Sequence, residues 1–245
     1  MQKYHKYISV IIGLLFLVVL QAFSNPLPVF RIYLPLFLSY VILVLLYNRW
    51  YLIKLQKYNL WTLVKTALFL LAGFGIFLII PFTGLKSLFL VISVFVVTFF
   101  ELSLGSFSEN ILTSETILIA FGLFVSLAAF SEYFPSFKFF AVTASFFAAG
   151  LLARSFYELV PKENYLKSIS AIILGLLVSE FFWALTFLPF HFTVIGLILF
   201  NLFYFFTLIN YYHFFNTLSF KKLQFHLILI VFTSAMVLLS TPWKL

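Results

Sequence analysis

Nine stretches of about 17 to 23 residues, nearly free of charge, follow one another along this chain with only short polar punctuation between them. Each is long enough to cross the hydrocarbon core of a bilayer, which takes roughly 20 residues of helix. Of the 245 residues 64% are hydrophobic and 9% charged, and the mean hydropathy is +1.16. A water-soluble domain of this size carries about 25% charged residues to clothe its surface. The solvent of these segments is therefore lipid, and the expected fold is an all-α polytopic transmembrane bundle in one integral membrane domain covering residues 1–245.

The spans read as roughly 7–23, 33–48, 61–80, 85–104, 115–134, 137–154, 167–188, 191–212 and 223–241. Inside a bilayer the backbone must satisfy its own hydrogen bonds, so each span is a helix. Barrel strands would be shorter and would alternate between apolar and polar residues. Proline falls where helices should stop. Asn25-Pro26-Leu27-Pro28 closes the first span, Pro81 the third, and Pro135 separates the fifth from the sixth. Pro161 marks the next loop, and Pro189 ends or kinks the seventh span. The first span admits a second reading. Basic residues up to Lys6, an apolar core from Ile8 to Leu20 and Ala22-Phe23-Ser24 also fit a cleaved signal peptide, which would leave eight helices.

Lys and Arg set the orientation. With the N-terminus in the cytoplasm, that side collects Lys3, Lys6, Arg49, Lys54, Lys57, Lys65, Arg154, Lys162, Lys167, Lys221 and Lys222. The outer side keeps Arg31, Lys86, Lys138 and Lys244, a positive-inside asymmetry. The stretch from Gly105 to Ser114 departs from it, carrying Glu109 and no cation. The formal charge of +8 thus belongs to topology and anionic headgroups rather than to nucleic acid. Tyr47, Trp50, Tyr51, Tyr58 and Trp61 accompany the cations as interfacial anchors, and Arg49 to Leu60 reads as a short amphipathic turn on the membrane surface.

Residue types exclude much chemistry. Cys is absent, and so are disulfides and thiolate sites. All seven acids are Glu, which removes any Ser/His/Asp triad. Four scattered His make no metal set. No Walker, HExxH or G-x-S-x-G motif occurs, and no cofactor is expected. Glu180 is the acid set deepest in a span, where a charge is costly and often functional. Trp183, Ala184 and Phe187 share its helical face. Two roles stand open for it: a proton-relay or cation-contact carboxyl, or a protonated packing group. Pro189 and His191 follow at the mouth of the same hairpin, and His191 with Glu180 would make a two-step proton path. Glu101 and Glu132, close to span ends, are expected to reach the interface. Ala141, Ser145 and Ala149 in span six, and Ala171, Gly175 and Ser179 in span seven, recur every four residues. Such small-residue stripes let backbones approach closely in lipid.

The segment Glu180-x-x-Trp183-Ala-Leu-x-Phe187-Leu188-Pro189, the Asn210-Tyr-Tyr-His213 ending of the next span, Leu218 and Thr241-x-Trp243 together resemble an uncharacterised family. Its members are multi-pass membrane proteins of candidate-phyla (patescibacterial) bacteria, and the resemblance covers roughly residues 175–245. It implies a bacterial plasma-membrane setting and brings no activity with it. Three function classes follow from the residues. One is a non-enzymatic transport or transport-accessory component; another is a structural subunit that packs against other membrane proteins. The third is an intramembrane enzyme on lipid-linked substrates, which Glu, His and Tyr clustered at one membrane face would favour.

Overall fold

The computed structural model describes residues 2–23, 30–81, 83–104, 109–217 and 219–240. Asn25-Pro26-Leu27-Pro28, Ser24 of the cleavage-like motif, Gly105, Leu218, Thr241 and Trp243 lie outside the described residues. Among the described residues there are nine α-helices and no strand: α1 Gln2–Ala22, α2 Phe30–Lys54, α3 Leu60–Ile79, α4 Thr83–Ser103, α5 Glu109–Tyr133, α6 Lys138–Phe156, α7 Asn164–Leu185, α8 Phe192–Phe214 and α9 Phe220–Ser240. The first eight are long and apolar enough to cross a membrane, whereas the apolar part of α9 is confined to Leu223–Leu239. Large apolar side chains cover the outside as well as the core, with Phe95 71% and Phe139 75% exposed. Water would not tolerate such a surface over whole helices. The chain is a multi-pass integral membrane protein.

The helices overrun the spans drawn from hydropathy because a helix does not stop at the first charged residue. α2 continues through Arg49 and Lys54, so the expected surface-lying turn from Arg49 is helix for its first half. It ends in a left-handed residue, Gln56 (φ 55°). There Lys57 N–H donates to Leu52 O and Gln56 N–H to Ile53 O, each at 3.0 Å. This pattern satisfies the last free carbonyls of the helix. Asn59 then caps α3, its side chain accepting from Trp61 N–H. α5 starts at Glu109 rather than 115, so most of the cation-free stretch read as loop is helix. At the other extreme α7 stops at Leu185, three residues early, where Thr186 opens a turn that leads to Pro189.

The chain divides into two compact units, 1–115 and 116–245. In the first, short connections make successive helices antiparallel, and α1 packs most extensively on α4. Gly13 permits that approach: a Cβ there would lie 2.4 Å from Thr98 Oγ1 and 2.9 Å from Val94 O. Rings fill the remaining space, Phe37 on Phe74 and Phe69 on Phe100, each pair stacked at 4.2 Å.

In the second unit α6 and α7 form the most extensive contact. Ala141, Ser145, Ala149, Ala171, Gly175 and Ser179 are all buried. A Cβ on Gly175 would lie 2.7 Å from Phe146 O, so backbone meets backbone. Arg154, at the end of α6, pairs with Glu158 and donates to Ser168 and Asn164 of α7. α8 joins α9 through Asn201, whose amide donates to Thr233 and Ser234 at 3.1 and 2.9 Å, and through Tyr204 with His226.

Candidate functional site

The antiparallel run of the first unit brings the start of α1, the end of α2, the start of α3, the end of α4 and the first turns of α5 to one end. Every one of these helices brings a polar residue there, buried in the case of α1 to α4. His5 is the first. Its Nε2 lies 3.0 Å from the main-chain oxygen of Glu101, a last-turn carbonyl of α4 that also accepts from Leu104 N–H at 3.4 Å. Nε2 must therefore carry the proton and donate. Nδ1 then accepts from the Tyr47 hydroxyl at 2.9 Å. The imidazole also stacks on Tyr51, with ring centres 3.7 Å apart.

Glu101 is the centre of the cluster. It stands in the last turn of α4, as its place in the sequence suggested, but its side chain does not reach the interface. It is completely buried, because α1 packs against this face of α4. Asn48 of α2, itself fully buried, donates from Nδ2 to Glu101 Oε1 at 3.1 Å. The other oxygen of each group, Glu101 Oε2 and Asn48 Oδ1, is buried with no hydrogen-bond partner. So is Thr98 Oγ1, one turn earlier on the same face of α4.

A second group lies at the same end. Lys65 of α3 is buried and its Nζ lies 2.5 Å from Oε2 of Glu115 on α5. The Ser103 hydroxyl donates to the other Glu115 oxygen. Lys65 was read as an interfacial cation; in the structure it neutralises an acid inside the unit. Glu115 is tolerated at this basic end because its charge is internally paired.

The residues singled out from sequence lie in the second unit. Glu180 and Trp183 are exposed on α7, with Leu176 and Phe187 above and below them on the same outer face. Because α7 stops at Leu185, Glu180 is only about one and a half turns from its end. Pro189 is exposed in the following turn. His191 is the N-cap of α8, its side chain accepting from Thr193 N–H and contacting the Thr193 hydroxyl at 2.9 Å. Glu132 accepts from Phe192 N–H at 2.8 Å, so an acid and an imidazole share the positive end of α8. No hydrogen bond joins Glu180 to His191 among the described residues.

Sequence reasoning did not join His5, Asn48, Glu101, Lys65 and Glu115 into a site because each stands near a span end, where exposure is the ordinary expectation. One signal was available: five helix ends that must meet in an antiparallel bundle each carry a strong polar group. No protein-family model, curated protein or solved structure matches the chain.

Proposed function

We propose that this protein is a non-enzymatic transport component of a membrane, oriented with its N-terminus in the cytoplasm. One observation carries the reading: the first unit buries His5, Asn48, Glu101 and Lys65, with Glu115 as the ion-pair partner of Lys65, inside helices that otherwise offer lipid-compatible side chains. Ionisable groups enclosed by membrane helices are costly and tend to mark ion or proton pathways. The orientation rests on the distribution of Lys and Arg. A bacterial plasma-membrane setting rests on the resemblance of residues 175–245.

The clustering of Glu, His and Tyr at one end also speaks for an enzyme. Against it, both His5 nitrogens are engaged within the cluster and Lys65 is ion-paired, so neither stands as an open base or nucleophile. The test is flux. Purified protein is reconstituted into liposomes containing a pH-sensitive dye, and a potassium diffusion potential is applied. Proton entry well above that of empty liposomes, reduced in Glu101→Gln, is expected. Permeability equal to that of protein-free vesicles overturns the proposal.

A subunit role is the second reading, favoured by Glu180 and Trp183 exposed on one face of α7. It predicts a stoichiometric partner on mild solubilisation that is lost in Glu180→Leu. Unchanged recovery of that partner would remove the role of this face.

A further inference from the structure

The geometry at Asn48 and Glu101 points to a site that holds one proton: we infer that Glu101 is a neutral acid whose hydroxyl closes a two-bond ring with the Asn48 amide. The reasoning is a count of donors. The amide already gives one N–H to Oε1, and what remains on the facing groups is two buried acceptors, Glu101 Oε2 and Asn48 Oδ1, each without a partner. Two such acceptors in an apolar interior carry the desolvation cost of both groups with no return. A single hydrogen on Oε2 converts one of them into a donor for the other. A carboxylic acid and a primary amide are both planar, and each then presents one donor and one acceptor on the same edge. With Nδ2–H···Oε1 in place, Oε2–H···Oδ1 is the bond that closes the ring.

Reversing the Asn48 amide does not remove the shortage. Oδ1 would then face Oε1, and an oxygen–oxygen contact again requires a hydrogen on the carboxyl. The other groups at this end do not supply it. From α4 itself, Thr98 Oγ1 is buried and bonds neither oxygen. From α1, His5 gives its Nε2–H to the main chain of Glu101, while Lys6 is exposed. From α2, the Tyr40 hydroxyl donates to Ile12 O, Tyr47 bonds His5, Tyr51 stacks on the same imidazole, and Arg49 is exposed. From α3, Lys65 engages Glu115 of α5.

Removing the proton leaves a carboxylate oxygen facing an amide oxygen, a repulsive contact in a buried place. Reversing the amide does not relieve it, so the two side chains must separate, and release of the proton breaks the Asn48–Glu101 link between α2 and α4. This gives the transport reading a proton-loaded state and rests on that reading for its use; the proton itself is detectable whether or not anything is transported.

The experiment is infrared difference spectroscopy on the whole protein in lipid nanodiscs, wild type against Glu101→Gln. Gln keeps both hydrogen bonds of the ring and is expected to fold. A protonated-carboxyl carbonyl band at neutral pH, shifted by deuterium oxide and missing from the variant, is expected. No such band, with a carboxylate signal in its place, overturns the inference. A carboxylate signal that changes on adding sodium or lithium chloride also overturns it, in favour of a cation site. Asn48→Leu keeps the acid and removes its partner, so the band should persist and move to the higher frequency of an unbonded carboxyl. A band unmoved by that change overturns the ring. With the band present and liposome flux absent, the proton site stands and the transport reading falls.

Discussion

Breaking the pair between Lys65 and Glu115 gives the sharpest test of how this interior is held together. Their charged atoms are 2.5 Å apart, and the side chains are 6% and 10% exposed. At an effective dielectric of about 20, unit charges at that separation attract by about 7 kcal/mol. Withdrawing each from water costs several kcal/mol, so the pair as a whole is close to break-even against apolar residues of similar size. Removing one partner is a different matter. Lys65→Met leaves Glu115 buried with the Ser103 hydroxyl and no cation, and should destabilise the protein by about 3–5 kcal/mol. Glu115→Leu takes the carboxylate from the buried ammonium and should cost a similar amount. The double variant should fall within about 1 kcal/mol of wild type or exceed it. The measurement is reversible unfolding by sodium dodecyl sulfate in mixed micelles, followed by far-ultraviolet circular dichroism. Additive single effects, or a loss below about 1 kcal/mol for Lys65→Met, would refute the argument that these charges are sealed from solvent.

Other positions give independent tests by the same unfolding measurement. Gly175→Ala should lose about 1–3 kcal/mol by forcing a methyl against Phe146 O, a main-chain atom that cannot move alone. Gly84→Ala, with nothing within 4 Å of its added Cβ, should be neutral or slightly stabilising, and equal effects at the two sites would dismiss the close-packing argument. Glu132→Ala should cost about 1 kcal/mol by uncovering the start of α8; no change would show that the carboxyl contributes nothing there. Gln56→Gly should match or exceed wild type while Gln56→Val loses about 1–2 kcal/mol, because φ is 55° at this position. A tolerated valine would contradict that conformation.

Helix identity and number were legible because they depend on composition summed over about 20 residues, and no tertiary contact can make such a segment water-soluble. The small residues of α6 and α7 were legible as stripes, since a spacing of four is a property of one helix. Only the three-dimensional arrangement shows Gly175 facing Phe146 of α6. Depth along a helix was also readable: Glu101 does lie by the end of α4, and Lys65 near the start of α3. Azimuth was not. In a segment apolar on all sides no periodic contrast marks the inner face, so an acid near a span end has equal claim to lipid headgroups and to the core. Tertiary packing chose between them. It turned Glu101, His5 and Lys65 inward and left Glu180 facing out, because burial of a polar group is decided by whether other helices supply partners for it, and those partners are 42 to 96 residues away along the chain.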